Sequence, residues 1–190
     1  MNPILEVALE VQRFCQARQW RSCIIGALAV QRWGEPRLTQ DVDLTVVAGF
    51  GPEADYVDAL LSTYRGRLPD TREFALRCRV VLLESASGVP IDISLGGIPF
   101  EERVVRRSSG WDVGGAAPLV TCSAEDLVVL KVFAGREKDW LDVESVVVRQ
   151  GTRLDVALID REVAPLLELK DDARSMPRLE AILKRAGREP

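Results

Sequence analysis

The chain has 190 residues, 47% of them apolar and 28% charged, with a net charge of −4 and no histidine. That length and balance suit one globular domain, or one with a helical appendage, and exclude a disordered or fibrous chain. The missing histidine excludes a Ser-His-Asp or Cys-His nucleophile, a histidine general base and any histidine-ligated metal, and the net negative charge argues against binding of nucleic acid by the field of the whole molecule.

Residues 3–18 read as an amphipathic helix, since Ile4, Val7, Ala8, Val11, Phe14 and Cys15 recur at helical spacing. Ser22–Ile25 is a short apolar strand that stops at Gly26, and Ala27–Trp33 is a helix closed by Gly34. After the loop Glu35-Pro36-Arg37, residues 41–47 alternate as a half-buried strand: Val42, Leu44 and Val46 on one face, Asp41, Asp43 and Thr45 on the other. Pro52 opens a helix to about Tyr64. From Arg65 to Arg79, five arginines against Asp70 and Glu73 form a basic stretch, either a solvated surface or a contact for an RNA acceptor.

Val80–Glu84 and Val89–Leu95 are strands joined by the hairpin signal Ser85-Ala86-Ser87-Gly88, and Phe100–Arg106 makes one or two helical turns. Leu119–Cys122 is a further strand, after which Ser123 caps a helix with Glu125 and Asp126 in its first turn. A helix over 138–150 follows the Gly135-Arg136 turn, and two more lie near 154–169 and 175–187. This is an α+β pattern: a mixed-sheet core flanked by helices, divided as residues 1–150 for the core and 151–190 for a helical appendage packed on it. Cys15, Cys23, Cys78 and Cys122 form no C-x-x-C pair and read as buried free thiols of a reducing compartment. With no signal-peptide pattern and no apolar run of about 18 residues, the expected location is the cytoplasm, away from membranes.

The residues that carry chemistry are Gly26-Ala27 and Asp41-Val42-Asp43. A strand ending at a glycine with a helix directly behind it aims backbone N–H groups into the turn, where anions bind. Asp41 and Asp43, at i and i+2 on a strand, share a face about 6–7 Å apart, a spacing at which carboxylates converge on a pair of divalent cations. Hard oxygen ligands without histidine favour magnesium or manganese over zinc. Asp92, between Ile91 and Ile93, joins them if its strand pairs beside the first, and three carboxylates on one face call for cations.

This run resembles the signature of the nucleotidyltransferase superfamily with the DNA polymerase β-like fold. The spacing G-x-x-A-x-x-x-x-G-x-x-R-x-T-x-D-x-D, and Lys131 with Asp139 as a K-x7-D segment, are similar to the small bacterial AbiEii-like branch of toxin and antitoxin nucleotidyltransferases. The resemblance covers about residues 22–145. It implies that Gly26 and Ala27 cradle the nucleotide phosphates, and that Asp41 and Asp43 bind magnesium or manganese with Asp92, which also assists deprotonation of an acceptor hydroxyl. It implies further that Lys131 and Asp139 lie near the triphosphate or acceptor and that Arg37, beside Thr39, lies at the mouth of the site. The substrate would be an NTP and the acceptor RNA such as tRNA, a protein or a small molecule, with a cognate toxin or antitoxin as partner. Ala27 departs from the usual Ser or Gly and removes a hydroxyl contact, so the alternative is a catalytically inactive nucleotidyltransferase-fold antitoxin. An aminoglycoside-type adenylyltransferase ranks below both, because no residues define a sugar pocket. Each flanking residue has a plainer role open to it: Arg37 as a solvated loop charge, Thr39 as a strand-leading residue, Lys131 snorkelling from its helix, Asp139 as a helix cap.

Overall fold

The computed structural model describes residues 2–115 and 117–188, which divide into two compact units. One comprises the chain up to Leu28 together with Leu38–Cys122, the other Ala29–Arg37 together with the chain from Ser123 onward.

In the first unit, β1 (Ser22–Ile24), β2 (Val42–Val47), β3 (Arg65–Gly66), β4 (Val80–Glu84), β5 (Pro90–Gly96), β6 (Ser109–Trp111) and β7 (Leu119–Thr121) make one mixed sheet in the order β3-β4-β5-β2-β1-β7-β6. The helices are α1 (Pro3–Ala17), α3 (Glu53–Leu61), α4 (Thr71–Cys78) and α5 (Pro99–Arg107). α2 (Gly26–Trp33) starts here and continues into the second unit.

Alternation sets the two faces of the sheet. Val42, Leu44 and Val46 of β2, Ile91, Ile93 and Leu95 of β5, and Val81 and Leu83 of β4 are buried in one cluster with Val7, Ala8, Val11 and Cys15 of α1 and Val57 and Leu60 of α3. Each large aliphatic side chain so placed contributes roughly 1.5–3 kcal/mol. The intervening residues Asp43, Leu82, Asp92 and Ser94 therefore point to the opposite face, and a one-residue slip of any strand would exchange them for core residues. Gln12 of α1 is buried in this otherwise apolar setting because its side chain accepts from the Val120 N–H at 2.7 Å and donates to the Pro118 carbonyl at 3.0 Å.

Four features depart from the expectations. The basic stretch contains β3 and α4, neither of which alternation signals, because Arg65-Gly66 is a two-residue edge strand and α4 buries only Thr71 and Ala75. β6, Ser-Gly-Trp, is likewise too short to carry a pattern. α5 extends over nine residues, its entry fixed by Glu101, whose Oε2 accepts the Gly97 and Ile98 N–H groups at 2.7 and 3.0 Å. Cys15, Cys23 and Cys122 are buried, whereas Cys78, at the end of α4, is exposed.

The second unit is helical: the rest of α2, α6 (Ala124–Ala134), α7 (Glu137–Gln150), α8 (Val156–Lys170) and α9 (Ser175–Arg185), with one 3-10 turn at Gly151–Arg153. Ser123 caps α6, its Oγ accepting the Asp126 N–H at 3.1 Å. Leu127, Val128, Val129 and Val132 of α6 are all fully buried, as expected of a helix apolar around its circumference and enclosed by its neighbours. Among the described residues no helix is long and apolar enough to cross a membrane.

Candidate active site

β2 and β5 run parallel with Asp43 directly opposite Asp92 and Val42 opposite Ile91. Cross-strand partners share a face and neighbouring strands lie about 4.8 Å apart, so the two carboxylates stand side by side on the face away from the core. Asp41 immediately precedes β2, and its carboxylate receives the Thr39 hydroxyl at 2.7 Å. Thr39 thus orients an acid of the site as well as leading into the strand.

The turn between β1 and α2 is pressed against Asp43. Ile25 donates its N–H to the Asp43 carbonyl at 3.0 Å, and Gly26 follows with φ +64°. A Cβ at Gly26 would lie 2.6 Å from Cβ and Cγ of Asp43, so glycine is required both by the backbone conformation and by the close approach. The start of α2, where helical N–H groups face outward and favour anions, is held beside Asp43. Ala27, the next residue, is buried and adds no polar side chain.

Asp92 forms an ion pair with Arg67. Burial pushes its carboxyl above the ordinary carboxylate range; Arg67 opposes the shift and the charge of Asp41 adds to it. Arg67 is placed by its backbone, whose N–H donates to Leu82 at 3.0 Å, while Leu82 stands opposite Asp92 in the antiparallel β4–β5 ladder. Three of the other four arginines of this stretch also pair with acids. Arg65 pairs with Glu84, Arg72 with Asp58 at 2.6 Å, and Arg79 with Glu53 and the carbonyls of Gly49 and Leu95. The apparent basic patch is therefore largely spent on internal acids.

Asp41, Asp43 and Asp92 fit magnesium or manganese by the chemistry of their donors: hard carboxylate oxygens, with the charge of Asp41 opposing ionisation of Asp92. Among the described residues no three acidic or cysteine side chains stand gathered as a ready ion cage, and the Asp92 carboxylate is engaged by a guanidinium.

Arg37, Lys131 and Asp139 come together in the second unit through a residue that the sequence did not single out, Asp142. Gly135, with φ +69°, ends α6 and turns the chain into α7, which places Lys131 and Asp139 on adjoining helices. Lys131 Nζ lies 3.2 Å from Asp139 Oδ1 and 2.7 Å from Asp142 Oδ2. Lys131 is 7% exposed, so it is buried between carboxylates and does not snorkel. Arg37 grips Asp142 with two bonds of 2.8 and 2.9 Å. Asp139 also receives the Arg136 side chain at 2.6 Å and the Arg136 backbone N–H at 3.2 Å, so it is a helix cap as well as an ion-pair partner. Burial raises both carboxyls, but their bonds to Arg136, Arg37 and Lys131 outweigh it and hold both below the ordinary range.

Arg67 and Asp142 are the two residues that reading the sequence missed. Asp142 carried a signal, because it lies one helical turn after Asp139 on the same face of α7. Arg67 carried none beyond membership of a basic run.

No protein-family model and no curated protein matches the sequence. Solved structures do match its fold. An antigenic nucleotidyltransferase-like protein from Paracoccidioides brasiliensis aligns over 93% of this chain and 91% of its own, with a TM-score of 0.50 and 15% identity. The antibiotic-resistance factor ANT(2'')-Ia aligns over 90% of this chain and 95% of its own, with a TM-score of 0.55 and 15% identity. The chain shares the mixed α+β fold of these two solved structures.

Proposed function

We propose that the chain is a divalent-metal-dependent nucleotidyltransferase of the AbiEii-like branch, moving NMP from an NTP to an acceptor hydroxyl with release of pyrophosphate. The observation that carries this reading is the juxtaposition of Asp43 with Asp92 across β2 and β5, with the Gly26 turn packed on Asp43. Asp41, Asp43 and Asp92 would hold magnesium or manganese. When bound, such ions stabilise charge on the entering and leaving oxygens of an in-line phosphoryl transfer. The N–H groups of Gly26 and Ala27 at the start of α2 bind phosphate oxygens. The Asp92 carboxylate, partly withdrawn from water, accepts the proton of the acceptor hydroxyl. Arg37, Lys131 and Asp139 keep the triphosphate- and acceptor-binding roles that the resemblance implies, fixed in position by Asp142. The setting is cytoplasmic, in a toxin–antitoxin pair, with tRNA, a protein or a small molecule as acceptor.

The test is incubation of purified protein with each radiolabelled NTP, magnesium and a cell extract. Transfer of label to RNA, protein or a small molecule, lost in Asp43→Asn, supports the reading and names the acceptor class. Absence of metal-dependent transfer to every fraction overturns it. The Arg67–Asp92 pair favours a second reading, a non-catalytic protein of this fold in which the guanidinium permanently stands in for a cation. That protein would bind its partner unchanged by Asp43→Asn.

A further inference from the structure

We propose that Arg67 is the exchangeable counter-ion of the carboxylate face: a divalent cation gains Asp92 only by displacing the Arg67 guanidinium, which then turns to the phosphates of the nucleotide. This deepens the nucleotidyl-transfer reading and rests on it.

The position of Arg67 follows from strand register. Arg67 bonds to Leu82 through its backbone, Leu82 stands opposite Asp92, and Asp92 stands opposite Asp43. One row of residues therefore runs across the sheet from Arg67 to Asp43, and a side chain of arginine length crosses the intervening strand to reach Asp92. Arg65, Arg72 and Arg79 pair with Glu84, Asp58 and Glu53, acids other than the three of the candidate site; Arg67 lands on one of those three.

The chemistry of the pair permits exchange. A guanidinium carries a single charge, and its planar fork suits one carboxylate. It cannot bridge several carboxylates as a divalent cation does. The side chains of Arg67 and Asp92 keep 29% and 33% of their surface exposed, so Arg67 can leave without unfolding the sheet. A guanidinium released at this face has five donors suited to phosphate oxygens. Cation and nucleotide then assist one another's binding, because each rewards the same displacement of Arg67.

Titration of the full-length protein with Mn2+, followed by electron paramagnetic resonance with and without α,β-methylene ATP, tests this in Arg67→Gln, Arg67→Lys and Asp43→Asn. In Arg67→Gln, Mn2+ alone binds about tenfold or more tightly than to the unsubstituted protein, and the gain in Mn2+ affinity given by the nucleotide shrinks. Arg67→Lys keeps a competing charge and stays within about threefold of the parent affinity. Circular dichroism confirms that the variants fold. If Arg67→Gln binds Mn2+ no more tightly than the parent while Asp43→Asn abolishes binding, the metal site stands and the role of Arg67 is wrong. Arg67→Lys binding as tightly as Arg67→Gln also overturns that role. If neither the parent nor Arg67→Gln binds Mn2+, the metal-dependent reading itself fails.

Discussion

Asp43 and Asp92 are direct partners in the parallel β2–β5 ladder, so two acids 49 positions apart in sequence present their carboxylates side by side. Their register is enforced by the core on the other face, where Val42, Leu44, Ile91 and Ile93 are buried. Asp43→Asn and Asp92→Asn each lower metal-dependent label transfer by about 10²–10³-fold, the scale for removing one preorganised electrostatic group from an active site. Far-UV circular dichroism of Asp43→Asn stays that of the parent, and label-transfer rates give the comparison.

Gly26→Ala places a methyl group onto Asp43 and forces a non-glycine residue to φ +64°. Overpacking and left-handed backbone together cost about 2–3 kcal/mol, read as a shift of the urea midpoint. Activity falls further than stability requires, since the collision displaces Asp43 itself. Gly114→Ala is the control: its φ is also positive, but a Cβ there meets nothing within 4 Å.

Lys131 sits between Asp139 and Asp142 with a side-chain exposure of 8%. Lys131→Met leaves those two buried carboxylates without the cation they share, and lowers stability by about 3 kcal/mol, the lower end for breaking a buried ion pair. Asp142→Asn weakens the hold on both Lys131 and Arg37. Chemical denaturation measures the first effect; NTP affinity, followed separately, reports the second.

The depressed carboxyls of Asp139 and Asp142 set an acid limit on folding. Their folded values lie below the unfolded value of about 3.9, so their contribution is fully present above it and is lost as pH falls through the folded values. The urea midpoint is therefore insensitive to these two groups from pH 7 to about 5 and falls below about 4. Asp142→Asn makes that acid-side decline shallower.

Thiol accessibility separates the cysteines. Burial pushes the Cys15 thiol up to about 11, against the opposing effects of Ser22 and Arg18, and Cys23 and Cys122 are also buried. A maleimide added to native protein at neutral pH modifies Cys78 first; in urea all four cysteines react. Rapid native modification of Cys15 would contradict the packing of α1 on the sheet.

The sequence by itself determined the α+β order of elements, the glycine turn, and which face of β2 and β5 bears acids, because alternation and turn chemistry are local and each strand's apolar residues must share a face. The family resemblance also pointed to Lys131 and Asp139, which lie within one short segment across the Gly135 turn. Only the tertiary structure decided that Asp92 stands beside Asp43, that Gly26 is needed because Asp43 fills the space of its missing Cβ, that Arg67 neutralises Asp92, and that Asp142 joins Arg37 to Lys131. Those relations depend on strand order and on contacts between residues up to 105 positions apart. No local periodicity encodes them; they follow from how the sheet and the helices pack.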